Sequence, residues 1–261
     1  MEKIENKKVL ISNTFISDVN LNETISVFNN YIQNGFKVRV CVIPVNCIVW
    51  ASENEYLKQI YNSSDVSLCD GVPLLWIAKF LGTPLSGRVT GLDLFPLYVE
   101  ECYKKGFSFF LLGAKEGVGA YLKQQFEQKY PGIKIVGVYS PPYADRFSDE
   151  ENQKMINMIN AVKPNVLWVS LTAPKQDIWI YEHFEKLDVN IAIGVGGAFE
   201  VTAGLIKRSP RWMQKAGLEW FYRFLKEPKR LFNRYFIEAP KIFKLVLKQK
   251  YSSHDKKNSQ H

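Results

Sequence analysis

Short apolar runs rich in β-branched residues alternate along the chain with amphipathic stretches of helical length. The apolar runs are predicted to be strands at residues 9–11, 36–43, 66–69, 108–112, 134–138, 166–171 and 190–194. The stretches between them are predicted to be helices at residues 22–33, 53–62, 73–81, 94–104, 118–129, 149–161 and 174–186. This alternation is typical of a parallel sheet flanked by helices. The sequence therefore predicts an α/β fold of the Rossmann-like type.

The pattern changes after residue 203, where the chain becomes basic and aromatic. Pro210, Pro228 and Pro240 are expected to divide this part into short helices, because proline interrupts a helix. We predict two units, an α/β core of residues 1–203 and a short helical appendage of residues 204–261. The appendage has 15 Lys and Arg against 4 Asp and Glu, whereas the core has 19 against 22. Such a basic segment suits nucleic acid, an anionic membrane or a phosphorylated ligand.

Composition excludes several classes of protein. The longest stretch without a charged residue covers residues 40–52, shorter than the roughly 20 apolar residues of a membrane-spanning helix. The charged residues 1–8 do not resemble a signal peptide, so a cytoplasmic location is expected. The four cysteines form no CxxC pair and have no histidine at ligand spacing, so no zinc site or disulfide is predicted.

Ligands of open α/β sheets bind at the carboxyl ends of strands, which makes the residues after each predicted strand candidates for a site. Asp70 follows the predicted strand at 66–69 and precedes Gly71 and Pro73. One interpretation is a carboxylate that lies in a cleft and accepts a proton. The other is a helix N-cap, since aspartate commonly fills that position. The sequence gives the two equal weight.

Other strand ends carry further candidates for ligand binding. An amide follows the strand at 36–43, and a glycine turn that could hold a phosphate or ribose follows the strand at 108–112. A polar segment at 88–93 can bind a ligand or form a turn capped by Asp93. A glutamine in a first helical turn and a glycine-rich turn follow the last two strands. The candidates are Asn46, Arg88, Thr90, Asp93, Gly113, Gln176, Gly194, Gly196, Gly197 and Glu200.

Taken together and in order, these segments resemble the WecG/TagA/CpsF family of bacterial glycosyltransferases, glycosyltransferase family 26. The resemblance extends from about residue 42 to residue 234. Its pieces are Asp70-Gly71, Arg88-x-Thr90-Gly91-x-Asp93, Phe110-Leu111-Leu112-Gly113, Ser140-Pro141-Pro142-Tyr143, Pro174-Lys175-Gln176, Gly194-Val195-Gly196-Gly197-Ala198-Phe199, Ala203-Gly204, Arg208-x-Pro210, Gly217-Leu218-Glu219-Trp220, Arg223 and Glu227-Pro228-x-Arg230.

The resemblance implies an inverting enzyme that moves N-acetylmannosamine or a related sugar from a UDP-sugar to a polyprenyl-diphosphate-linked sugar in surface-polysaccharide or teichoic acid synthesis. It implies that Asp70 is the catalytic base and that no metal cofactor is needed. Cationic side chains must then stabilise the leaving diphosphate. The arginines expected to do so are Arg223 and Arg230 as catalytic residues and Arg208 and Arg234 as binding residues.

The remaining expectations concern partners and alternatives. The basic appendage is expected to hold the enzyme at the anionic inner face of the cell membrane, without nucleic acid, and self-association is possible. Pro44 stands where the family often has threonine, so a UDP-glucose-type glucosyltransferase is an alternative. A noncatalytic basic adaptor would explain the appendage but not the strand-end residues. A nicotinamide dehydrogenase would need a Gly-x-Gly-x-x-Gly turn after the first strand, which is missing.

Overall fold

A computed structural model describes residues 7–258, apart from the side chains of Lys215, Arg230 and residues 253–258. The strands are β1 Lys8–Ile11, β2 Thr14–Ser17, β3 Val38–Ile43, β4 Val66–Cys69, β5 Ser108–Gly113, β6 Lys134–Tyr139, β7 Val166–Ser170 and β8 Ile191–Gly194. The helices are α1 Leu21–Gln33, α2 Val45–Glu53, α3 Glu55–Asn62, α4 Val72–Leu81, α5 Gly91–Lys105, α6 Val118–Lys129, α7 Asp149–Val162, α8 Lys175–His183, α9 Ala198–Thr202, α10 Arg211–Lys215, α11 Glu219–Lys226, α12 Pro228–Phe232 and α13 Lys241–Asn258.

Six strands form one parallel sheet in the order β4-β3-β8-β7-β5-β6. Its strands other than the edge strand β6 are almost wholly buried, which explains why they are continuous apolar runs and not alternating ones. The predicted α/β fold with a parallel sheet flanked by helices is confirmed.

The first predicted strand does not belong to this sheet. β1 pairs with β2 in a separate antiparallel ribbon, joined by the short turn at Ser12 and Asn13. The sequence also missed α2, because residues 45–51 are mostly buried and show no polar face to reveal a helical period. Both errors concern segments whose apolar pattern fits more than one local structure.

Two layers of helices cover the sheet. α1, α5, α6 and α9 pack over one face, around the buried side chains of Phe95, Trp168 and Phe199. α2, α3 and α4 pack over β3 and β4 on the opposite face, and α7 and α8 cover the rest of that face. None of the helices within residues 7–258 is long and apolar enough to span a bilayer.

The C-terminal helix completes the second layer. Ile242 and Val246 of α13 are buried in the same apolar cluster as α2 and α4. Gln249 links α13 to the β1–β2 ribbon, since its amide donates to the Leu10 carbonyl at 2.9 Å and accepts from the Ser12 amide at 2.6 Å. The basic segment at 204–240 is therefore preceded in the chain by α2 and α4 and followed by α13, and these three helices pack in one layer.

Candidate active site

Polar residues follow three neighbouring strands at the carboxyl edge of the sheet. β4, β3 and β8 are adjacent, and they are followed by Asp70, Asn46 and the turn at Gly196 and Gly197. β7 lies next to β8 and is followed by Gln176 at the start of α8. The topology therefore brings four sequence-predicted segments to one edge, where α/β proteins bind their ligands.

Asp70 lies between the end of β4 and the start of α4. Its backbone amide donates to the Ile43 carbonyl at 3.0 Å, which fixes it beside the end of β3. The N-cap of α4 is Gly71, with φ of +123°, and no side chain caps the helix. The helix-cap interpretation of Asp70 is therefore wrong, and its half-buried carboxylate is left for another role.

Several charged groups act on this carboxylate. Burial, the largest cause, raises the pKa of Asp70 to about 6. Arg223 acts in the opposite direction, as do Arg88 and Arg234 more weakly, while Glu219 raises the pKa further. A carboxyl with this pKa is mostly ionised at neutral pH and still able to take up a proton. Arg223, Glu219 and Arg234 all come from the segment after residue 203, so the appendage reaches the sheet edge.

Asn46 lies in the first turn of α2 and is buried. Its Oδ1 accepts a hydrogen bond of 2.8 Å from Nη2 of Arg234, whose guanidinium lies 5.8 Å from the centre of the Trp50 ring. Its Nδ2 is buried without a hydrogen-bond partner among the described residues, and so is Nε of Arg234. A polar pair thus joins the end of β3 to the appendage and retains unused hydrogen-bonding groups.

Gln176 is buried against the glycine-rich turn. Its Oε1 accepts a 2.9 Å hydrogen bond from the backbone amide of Gly196. A Cβ on Gly194 would lie 2.6 Å from the Gln176 side chain, so only glycine fits there. The Gly196 carbonyl accepts from the Ser170 hydroxyl at the end of β7. Gln176 and Ser170 together fix the conformation of this turn.

Gly197 is flanked by two charged side chains. A Cβ built on it would lie 3.9 Å from Oε2 of Glu200 and 4.0 Å from Nη2 of Arg223. Oε2 of Glu200 is buried and has no hydrogen-bond partner in the described part of the chain. The turn after β8 therefore opens towards Arg223, the same arginine that acts most strongly on Asp70.

Four charged residues form a network beside the site. Arg208 bonds to Asp93 at 2.6 Å and to Glu219 at 2.7 Å, and Arg88 lies 3.2 Å from Asp93 and 3.8 Å from Glu219. All four are partly buried. Two arginines and two carboxylates thus neutralise each other, and they join α11 to the start of α5.

Thr90, and not Asp93, caps helix α5. Its hydroxyl oxygen accepts from the Asp93 amide at 3.1 Å, and its hydroxyl group lies 2.9 Å from Oδ2 of Asp93. Burial acts to raise the pKa of Asp93, but bonds from Arg208 and Thr90 outweigh it and hold that pKa below its ordinary value. The contacts of Arg88, Thr90, Asp93 and Arg208 are therefore largely with each other and with Glu219.

One predicted residue stands apart from this cluster. Gly113 ends β5, two strands from β8, with φ of +101°. A Cβ there would lie 2.4 Å from the Ser170 carbonyl oxygen, so strand packing alone requires glycine. The side chain of Arg230 lies outside the described residues. Among the residues that are described, no three His, Cys, Asp or Glu side chains converge as a metal site.

Comparisons with known proteins identify the family of this chain. The sequence model of the WecG/TagA/CpsF glycosyl transferase family matches residues 9–256. The chain belongs to this family. A relative from Bacillus spizizenii is 31% identical over 78% of the chain and 76% of its own length, and one from Bacillus subtilis is 29% identical over 88% of each. One from Staphylococcus aureus is 26% identical over 88% of the chain and 89% of its own length. All three are named N-acetylglucosaminyldiphosphoundecaprenol N-acetyl-beta-D-mannosaminyltransferase.

The structure of this glycosyltransferase adds residues that the sequence did not single out as part of a site. Glu219 belongs to the family-like segment 217–220, but its bond to Arg208 and its effect on Asp70 depend on tertiary structure. Ser170 ends β7, and the sequence feature that could have marked it as a site residue is its position after a run of buried residues. Trp50 lies beside Arg234 because residues 45–53 form helix α2, which the apolar pattern of the sequence did not reveal.

The charge network predicts a specific loss of stability in this glycosyltransferase. Arg208→Gln should lower the free energy of unfolding by about 1–2 kcal/mol, because Asp93 and Glu219 lose their shared partner in a partly buried place. Urea unfolding followed by tryptophan fluorescence measures the change. Lys163→Gln breaks an exposed pair with Asp188 and serves as the control, with an expected loss below about 1 kcal/mol. Equal losses in the two variants would contradict the structural role of the network.

Proposed function

We propose that this chain transfers N-acetylmannosamine from a UDP-sugar to N-acetylglucosaminyl-diphosphoundecaprenol and inverts the anomeric centre. The relatives are named for this transfer. The observation that carries the proposal is the carboxylate of Asp70, which lies at the sheet edge and does not cap helix α4. Three arginines lower its pKa. Such a site combines a proton acceptor with positive charge for a diphosphate, as the reaction requires.

The proposed base is Asp70. It takes the proton of the acceptor hydroxyl while that oxygen attacks the anomeric carbon, and the nucleoside diphosphate leaves from the opposite face of the sugar. The pKa of about 6 suits this role, because the group is mostly ionised at neutral pH and holds the proton once it has been transferred. A single carboxylate is sufficient for inversion.

Arginines are proposed to stabilise the leaving diphosphate without a metal ion. Arg223 is the arginine that acts most strongly on the Asp70 carboxyl, and its guanidinium lies near Gly197. Its side chain is exposed, so it can contact a ligand in the cleft. Arg234 already donates to Asn46, and its Nε is unused among the described contacts. Guanidinium groups bind phosphate oxygens through paired hydrogen bonds. Arg230 is proposed as a further contact from the same segment.

The donor is proposed to bind along the ends of β3, β8 and β7. The Asn46 amide and the Glu200 carboxylate each keep a buried atom without a hydrogen-bond partner in the described residues, and such atoms suit polar groups of a nucleotide-sugar. Gln176 is proposed to act at this site both directly and through the Gly196 turn that it holds. The glycines at 196 and 197 permit close approach of the ligand to the backbone, whereas Gly194 makes room for the Gln176 side chain.

The enzyme is proposed to act in the cytoplasm at the inner face of the membrane. Its proposed acceptor carries a polyprenyl chain, which remains in the bilayer, and the segment after residue 203 carries the excess of positive charge. The proposed division of labour gives donor binding and the base to residues 1–203, and the diphosphate contacts with part of the membrane contacts to the appendage. Self-association remains compatible with this arrangement.

Turnover of a panel of UDP-sugars tests the proposed reaction. UDP-N-acetylmannosamine should be used in preference to UDP-N-acetylglucosamine and UDP-glucose, with a short-chain, water-soluble prenyl-diphosphate-N-acetylglucosamine as acceptor. Product stereochemistry should show inversion, and turnover should continue in the presence of EDTA. Preference for UDP-glucose would support the glucosyltransferase alternative, and absence of transfer from every donor would refute the proposal.

The role of Asp70 predicts a separation of activity from stability. Asp70→Asn should lower kcat by about 10²- to 10⁴-fold, because the general base is lost. A carboxyl whose pKa is raised by folding favours the folded state only when protonated, and this contribution is lost as the pH rises through about 6. The substitution should therefore cost no stability at pH 8. Wild-type kcat/KM should fall as the pH drops through about 6. Full activity of the variant would exclude Asp70 as the base.

The role of Arg223 predicts a difference between two exposed arginines of the appendage. Arg223→Ala should lower kcat about 10²-fold, since a positive group that stabilises the leaving diphosphate is removed. Arg211→Ala is the matched control, because Arg211 is exposed on α10 and is not among the groups that act on Asp70. Steady-state kinetics with saturating donor measure both variants. Equal activity of the two would remove Arg223 from the proposed mechanism.

A further inference from the structure

Helix α4 presents aromatic side chains to solvent next to the proposed base. It begins at Val72, two residues after Asp70, and it is ten residues, or about 15 Å, long. Leu74 and Ala78 are buried against the core, whereas Trp76 is 61% exposed and Phe80 is 51% exposed. One side of α4 therefore packs on the core, and the other side carries large apolar groups that are more than half exposed.

Helix α13 carries a second apolar stripe. Phe243, Leu247 and Tyr251 recur at every fourth position, which places them along one side of the helix, and they are 68%, 45% and 66% exposed. Lys250, three residues after Leu247, donates to the Phe80 carbonyl at 2.8 Å and places its ammonium 5.2 Å from the centre of the Phe80 ring. The stripes on α4 and α13 are therefore neighbours and form one surface.

The two helices of this surface carry charge of a single sign. Residues 72–81 and 241–252 contain lysines but neither aspartate nor glutamate. Lys79, Lys244 and Lys248 are exposed beside the apolar side chains. We call this surface the α4–α13 face, defined by Trp76, Lys79, Phe80, Phe243, Leu247 and Lys248. Apolar groups flanked by lysines suit a surface that offers hydrocarbon beneath anionic head groups.

We propose that the α4–α13 face is the surface through which the enzyme lies on an anionic lipid bilayer. The aromatic and aliphatic side chains enter the head-group region, and the lysines contact lipid phosphates. The inference rests on the proposed function, in which the acceptor is anchored in the bilayer. Because α4 starts beside Asp70, docking through this face holds the proposed base near the membrane surface, where the acceptor's sugar is accessible.

Two other features favour a bilayer as the occupant. A second copy of the chain, bound through the same face in a symmetric dimer, would bring the lysines of both copies together without carboxylates to offset them. The aromatic residues between 220 and 236 pack partly against one another, as in the pairs Trp220–Phe221 and Phe224–Phe236, and keep part of their surface exposed. The side chains of the α4–α13 face make fewer contacts of this kind with one another.

Vesicle binding by the full chain tests the proposal. The variants Trp76→Ser/Phe80→Ser and Phe243→Ser/Leu247→Ser should each bind about tenfold more weakly to vesicles of phosphatidylglycerol and phosphatidylcholine, since two apolar groups no longer enter the bilayer. The control is Leu97→Ser/Tyr121→Ser, which alters exposed apolar residues of α5 and α6 in the opposite helical layer. Its binding should match the wild type. Unchanged binding of both face variants would overturn the proposal.

Two further measurements distinguish membrane docking through this face from the transfer reaction. The face variants should keep wild-type turnover of the short-chain soluble acceptor and lose about tenfold on the same sugar carried by undecaprenyl diphosphate in vesicles. If wild-type enzyme fails on both acceptors, the proposed function fails, while vesicle binding still decides the docking surface. Sedimentation velocity without lipid gives a second check on the occupant. If the wild type is a dimer and the face variants are monomers, the face joins two copies and the bilayer proposal is wrong.

Discussion

The arrangement of the site depends on the charge network that joins α11 to the core. Arg208 bonds to Asp93 at the start of α5 and to Glu219 at the start of α11. Arg223 follows Glu219 by four residues and therefore lies on the same side of α11. The contact that holds the helix thus also directs an arginine towards Asp70. Partly buried ion pairs contribute less to net stability than to geometry, and geometry is what a reaction with a charged leaving group requires.

Opposing electrostatic effects are balanced at Asp70. Burial raises its pKa, and arginines, two of them from the segment after residue 203, lower it again. A deeper cleft without arginines would keep the carboxyl protonated, and an open cleft would leave it a weak proton acceptor at the low pKa of an ordinary aspartate. The segment after residue 203 therefore contributes both to the basicity of the proposed base and to the positive charge around it.

Much of the fold and part of the site could be predicted from the sequence. Asp70, Asn46 and Gly196 were found because each follows a buried strand, and a parallel sheet places all strand ends at one edge. The ribbon of β1 and β2 and helix α2 were missed, since short apolar segments carry no decisive period. Contacts between distant parts of the chain, such as Arg208 with Asp93, could not be predicted because sequence spacing says nothing about them. The exact start of α4 was equally hidden, and it is the N-cap position of Gly71, with no side-chain cap, that excluded Asp70 as a cap.

The position of α13 has a consequence for how the chain is made. Ile242 and Val246 fill the layer built by α2 and α4, and Gln249 bonds to the ribbon at the start of the chain. During synthesis, the apolar sides of α2 and α4 emerge long before the helix that covers them. A nascent chain therefore exposes that layer until α13 has left the ribosome. Chaperones that recognise exposed apolar surface would meet this protein at that stage, and the arginine-bearing segment would settle on the sheet edge only with the final helix.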